Sequence, residues 1–176
     1  MKKTVLLIIL LLAAYWIQAQ IAVTFNGLRN ANDITSSEII IKCPGITKEK
    51  LLDAYKESAK AYAERSRNMS FLDGENGIVI RFSGVGRFGT GMVKTGNATF
   101  SLLFTFEDEV VVVEGRDLKL RRIGLVKGEG SRQYIYTRKG RLGSKTLKRM
   151  VEREVNTHLN QITETANLLI AVQKGR

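Results

Sequence analysis

Phe100, Leu102, Phe104 and Phe106 alternate with Ser101, Leu103 and Thr105. A strand turns successive side chains to opposite faces, so this spacing predicts an extended segment with four large apolar groups on one side. Glu107-Asp108-Glu109 then makes a short acidic turn, and Val110–Val113 follows as an unbroken β-branched run. Such a run reads as the more deeply buried partner strand. Together they predict the central hairpin of an antiparallel sheet, although the turn carries neither Asn-Gly nor Asp-Gly.

The start of the chain predicts an address. Met1-Lys2-Lys3 is a basic n-region, Thr4 to Ala14 is almost wholly apolar, and Ala19 offers a small residue for cleavage. This is the form of a secretory signal peptide, residues 1–19. A membrane anchor is the alternative, but the apolar run is shorter than the ~20 residues that span a bilayer. No cysteine ends that run and Cys43 is far downstream, so a lipoprotein anchor is not expected. The expected product is periplasmic or secreted, with an N-terminal lead-in at 20–37 and one α+β domain at 38–176, a usual domain size. One cysteine allows neither an internal disulfide nor a cysteine-based zinc site. Cys43, at a strand end before Pro44, is expected to be a buried, inert thiol.

Taken in order, Ile21–Phe25 predicts an edge strand followed by loop, and Glu38–Cys43 a firm strand that Pro44-Gly45 ends. Thr47 has N-cap chemistry and Glu49 suits a first helical turn, so a helix is predicted over about 48–66 with Leu51, Leu52, Tyr55, Ala59 and Tyr62 as its buried stripe. Met69–Leu72 and Gly77–Phe82 flank the turn formers Asp73-Gly74-Glu75-Asn76, a second hairpin. The glycines from Gly84 to Gly96 predict a long link. Leu118-Lys119-Leu120 alternates, Ile123 and Leu125 have the opposite parity, and an extra residue at Arg121-Arg122 would explain that as a β-bulge. Tyr134-Ile135-Tyr136 suggests a last short strand. From about 144 to 173 the period becomes helical, with Leu147, Met150, Val151, Val155, Leu159, Ile162, Ala166, Leu169 and Ile170 on one face. Roughly 28 residues would extend about 42 Å, enough to cover a sheet and leave a surplus for protrusion or homodimer formation.

The order strand, helix, four strands, long helix resembles one TATA-binding-protein-like repeat. The residues resemble a family of uncharacterised secreted bacterial domains with that fold. The similarity runs over roughly 38–120: Pro44-Gly45-Ile46-Thr47-Lys48-Glu49-Lys50-Leu51 opening the first helix, Asp73-Gly74-Glu75-Asn76-Gly77-Ile78-Val79-Ile80 leading to Gly84-Val85-Gly86, and Phe100–Phe106 before an acidic turn. Val110–Val113 stands where that family would place a basic-aromatic strand. The resemblance implies a TBP-like β-α-β-β-β-β-α fold, a curved antiparallel sheet packed by one mid-length helix and one long C-terminal helix. It brings no activity, and a fold likeness to a DNA-binding protein does not imply DNA binding.

Motifs for chemistry are sparse. Gly84-Val85-Gly86-Arg87-Phe88-Gly89 matches G-x-G-x-x-G after a predicted strand, but no helix follows to face a pyrophosphate. His158, the only histidine, precedes a core-facing leucine with Glu154 one turn earlier, and a structural role is expected. No G-x-S-x-G places a nucleophile. Glu107, Asp108, Glu109 and Glu114 lack calcium-loop spacing and read as a solvated turn. Asn68-Met69-Ser70 and Asn97-Ala98-Thr99 are glycosylation acceptors in form, relevant only in a eukaryotic host. No cofactor, metal site or catalytic group is expected.

Charge is the strongest remaining signal. Residues 116–149 hold 12 Lys+Arg and 2 Asp+Glu, so this segment carries +10, while 20–115 carries −1 and 150–176 is neutral. The candidate anion-binding residues are Arg121, Arg122, Arg132, Tyr134, Tyr136, Arg138, Lys139 and Arg141. Arg132, Tyr134, Tyr136 and Arg138 would share a strand face, a cationic and aromatic surface suited to phosphates, sugars or headgroups. The plainer alternative is a solvated face that keeps an exported protein soluble. The leading expectation is a non-enzymatic binding module for an anionic envelope lipid, polysaccharide or acidic protein. Nucleic acid suits the charge but not the compartment. The alternative is a helix-grip-like carrier holding a small apolar ligand between Phe100–Phe106 and the C-terminal helix, which needs a cavity of some ~300 Å³ or more.

Overall fold

The computed structural model describes residues 20–65, 67–74, 77–88, 96–122, 135, 139, 141–142 and 144–174, with backbone alone at 86–88, 96, 121–122 and 173–174. Strands β1 (Ile21–Thr24) and β2 (Gly27–Asn30) form a small hairpin. Then come β3 (Glu38–Lys42), helix α1 (Lys48–Glu64), β4 (Met69–Gly74), β5 (Gly77–Phe88), β6 (Gly96–Glu107), β7 (Val110–Arg122) and helix α2 (Lys145–Lys174). The larger sheet runs β3-β7-β6-β5-β4, antiparallel throughout. Its β-α-β-β-β-β-α order is the expected one. The sequence predicts loop after Phe25; Gly27–Asn30 forms β2 instead, and its Leu28 is buried along with Ile21 and Val23.

The alternation in β6 decides which face carries the helices. Phe100, Leu102 and Phe104 are fully buried and Phe106 nearly so. Phe104 and Phe106 meet the Tyr55 ring of α1 at centroid distances of 5.6 and 5.5 Å, while Phe100 stacks on Phe82 at 4.6 Å under α2. Helix α2 closes this layer with Val151, Val155, Leu159, Ile162 and Ala166, all fully buried. The valine run differs from expectation. Val111 and Val113 are buried, but Val110 and Val112 are only half-buried, because among the described residues no helix covers the far side of the sheet, which exposes Ile40 and Leu72.

The β6–β7 turn is also not merely solvated. The Lys48 N–H donates to Asp108 Oδ1 at 2.9 Å and the Gly45 N–H to Glu109 Oε1 at 2.7 Å. Two main-chain bonds, Cys43 N–H to Glu109 C=O at 2.7 Å and Glu109 N–H to Ile46 C=O at 2.8 Å, hold the turn in place. A helix start has unpaired N–H groups and a partial positive charge, so Asp108 is the acceptor that α1 requires. Thr47 occupies the N-cap position without a side-chain bond. The turn that joins the central strands thus caps the first helix from 60 residues away.

The glycine link is shorter than expected. β5 continues to Phe88 and β6 starts at Gly96, so only 89–95 fall outside the described residues. Register shifts after Phe82 and Val85 mark extra residues on β5, and Gly84 takes φ +68° at the first of them, a left-handed conformation that glycine adopts without strain. The G-x-G-x-x segment is therefore strand and bulge rather than a phosphate loop.

Asp108→Ala should lower stability by about 1 kcal/mol, as loss of an N-cap acceptor does. Asp108→Asn, which keeps an acceptor oxygen, should restore at least half of that. Urea midpoints at unchanged slope measure both, and an Asp108→Ala midpoint equal to wild type would remove the cap from the account.

Candidate functional site

β7 changes character along its length. Residues Val110–Glu114 lie between β3 and β6, but β3 ends its pairing at Glu38 opposite Glu114, while β6 accompanies β7 to Arg122. From Gly115 onward no strand pairs with β7 on its β3 side among the described residues. At that transition the β1–β2 hairpin packs down. A Cβ on Gly115 would sit 2.8 Å from the Leu28 side chain, so the close approach of this leucine depends on glycine. The hairpin is anchored from behind by α2, where Asn156 Oδ1 accepts from the Ile21 N–H at 2.7 Å and Glu152 Oε1 from the Val23 N–H at 2.9 Å.

Between the hairpin turn and the second half of β7 lies an open cleft of about 450 Å³, with Asn26, Arg29, Ser37, Arg116, Asp117 and Lys119 among its lining. Its floor is irregular because β7 bulges. Thr99 pairs with Lys119 and Ser101 with Arg116, so β7 holds one more residue than β6 over this stretch. Asp117 takes φ +54° there, a left-handed backbone that only Gly, Asn and Asp visit readily. The Ser101 hydroxyl donates to its carboxylate at 3.5 Å. Arg116 Nε donates to Glu114 Oε2 at 2.8 Å in an ion pair along the strand. The cleft thus presents Arg29, Arg116 and Lys119 against Glu114 and Asp117.

Pairing is regular from Lys119 to Arg122, so the bulge expected at Arg121-Arg122 is not found there, and Ile123 and Leu125, whose parity suggested it, lie outside the described residues; β7 bulges instead at Asp117. The signal was present: inward-facing Val111 and Val113 are odd-numbered, and Leu118 and Leu120 are even-numbered. Arg121 and Arg122 close β7 opposite Asn97 and Gly96. Lys139 and Arg141 are exposed, on a turn and ahead of α2. Arg132, Tyr134, Tyr136 and Arg138 lie outside the described residues, and so does the strand face expected for them. Ile135, between the two tyrosines, is in a turn, buried, and its C=O accepts from the Ser144 N–H at 3.1 Å. The sequence reading missed Arg29 and the hairpin because β2 is too short to show a pattern.

This architecture has a solved counterpart. A TBP-like protein from Parabacteroides distasonis superposes with a TM-score of 0.55 at 12% identity, over 76% of this chain and 90% of that one. The fold is TBP-like. A DUF4468 family protein from Bacteroides ovatus is also similar, with a TM-score of 0.47 and 9% identity over 79% of this chain and 85% of that one. No protein-family model matches the chain, and no curated protein does. Among the described residues no helix is long and apolar enough to cross a membrane, and no three His, Cys, Asp or Glu side chains gather to hold a metal ion.

His158 belongs to the TBP-like core rather than to the cleft. Its ring lies 4.6 Å from that of Phe82, Nδ1 is 2.7 Å from the Tyr62 hydroxyl, and Nε2 is 3.2 Å from Glu154 Oε1. The group joins α1 to α2. Burial favours the neutral ring and outweighs the opposing pull of Glu154, so the imidazole titrates below its ordinary range. Cys43, buried beside the Ile41 carbonyl, has its thiol pushed up by the same desolvation, as an inert role requires.

Because the unfolded chain takes up the His158 proton at higher pH than the folded one, the neutral ring's contribution is complete above about pH 6.5 and is lost as pH falls toward the lower folded value. Stability should decline from pH 7 to 5, and His158→Phe should make that decline shallower. Identical pH slopes for wild type and variant in urea unfolding would contradict this.

Proposed function

We propose that the chain is an exported, non-enzymatic binding module whose basic segment, 116–149, engages an anionic envelope component or an acidic protein. The observation that carries this reading is the placement of charge. The whole net positive charge of residues 20–176 originates in the segment that begins at Arg116 and includes the singly paired half of β7. A one-signed local field raises the on-rate of an oppositely charged partner and weakens with salt. Signal-peptide form at residues 1–19 supports the compartment. The TBP-like counterpart supports the fold and says nothing of a ligand.

The carrier alternative has less behind it. The interior between sheet and α2 holds the Phe82–Phe100 stack with His158 against it, where an apolar ligand would have to sit. The cleft beside β7 is polar, charged and elsewhere.

Retention on vesicles rich in anionic lipid, or on an acidic polysaccharide, should fall by about ten-fold or more between roughly 0.05 and 0.5 M salt. Neutralising Arg121, Arg122, Arg138 and Arg141 together to Gln should abolish most of it. Unchanged retention of that variant in a sedimentation assay would overturn the assignment of binding to this segment.

A further inference from the structure

The singly paired half of β7 supports a narrower statement about the partner, which rests on the reading of 116–149 as a binding segment. A strand with no neighbour on one side offers a ladder of N–H and C=O groups to an incoming chain. Proteins ordinarily block such edges. At the start of β3 such a block is visible: the Glu38 N–H donates to Ser36 Oγ at 3.0 Å, and the Glu38 C=O accepts from Asn30 Nδ2 at 3.1 Å and Ser36 Oγ at 3.2 Å. Among the described residues no side chain does this for Gly115–Lys119. The lane that β3 occupies beside Val110–Glu114 continues past Gly115 as the open cleft.

The register fixes what that lane would recognise. Arg116 and Lys119 stand opposite Ser101 and Thr99, on the sheet face turned away from α1 and α2. Leu118 and Leu120 are packed against the core on the other face. Side chains of an added strand would alternate between the same two faces. One set would meet Arg116 and Lys119, with Arg29 on the cleft wall, and the other would meet the leucines.

The geometry points to an extended acidic-apolar segment of another protein, added as a strand along β7 from Gly115 to Arg122. Backbone bonding supplies affinity in this mode and the alternating pockets supply specificity. A headgroup or a polysaccharide would use the cations and leave the main-chain ladder unused, and on that ground the peptide is favoured.

The test is hydrogen exchange of the protein with and without a fluorescein-labelled peptide of about eight residues alternating Glu and Val. The peptide should bind, and amides in Gly115–Arg122 should slow by about ten-fold or more at saturation, as new ladder bonds require. A Lys-Val peptide should do neither. Arg116→Gln with Lys119→Gln should weaken the acidic peptide by about ten-fold or more, with an unchanged urea midpoint. Binding without slowed β7 amides would overturn strand addition. Salt-sensitive retention on anionic vesicles with no peptide binding would also overturn it, while leaving the broader binding function intact. Absence of both would remove both.

Discussion

Burial of the even-numbered side chains of β6 is the interaction on which the other elements depend. Phe100, Leu102, Phe104 and Phe106 can leave water together only if one sheet face is covered along the whole strand. Two helices are needed for that length. α1 brings Tyr55 over Phe104 and Phe106, and α2 brings His158 and the stripe from Val151 to Ala166 over the remainder. The same hairpin places α1, since its turn supplies Asp108 and Glu109 to the chain entering that helix. Core packing and helix capping are thus linked through one β-hairpin.

That hairpin also gives β7 two different halves. The valine half is bonded on both sides and faces the core. The basic half is bonded on one side among the described residues, bulges at Asp117, and is flanked by a hairpin whose Leu28 packs closely on Gly115. Stability is concentrated in the first half and available bonding capacity in the second. Among the described residues β7 runs eight residues past β3, and the main-chain groups on that side of it have no strand to bond to.

Much of the fold was legible in the sequence because its signals are periodic. The spacing in Phe100–Phe106 identified the buried face, the helical period from Leu147 to Ile170 located α2 to within a residue or two, and Pro44-Gly45 located the end of β3. What escaped notice was either too short for a period, as with Gly27–Asn30, or depended on distant residues meeting. Nothing near Asp108 in the chain indicates that it caps a helix beginning 60 residues earlier. The bulge at Asp117 shows in the sequence as the change of parity between Val113 and Leu118, whereas the change between Leu120 and Ile123 ends outside the described residues. The candidate site was legible as charge, whereas its geometry was not: Arg29 and Ser37 enter it only through the β1–β2 fold-back.

Native-state hydrogen exchange of the unliganded protein, resolved amide by amide, distinguishes the two halves of β7. Slow exchange at Val111 and Val113 with fast exchange at alternate amides beyond Gly115 is the expected pattern. Uniform protection from Val110 through Arg122 would mean that the edge is already covered, and would contradict the account.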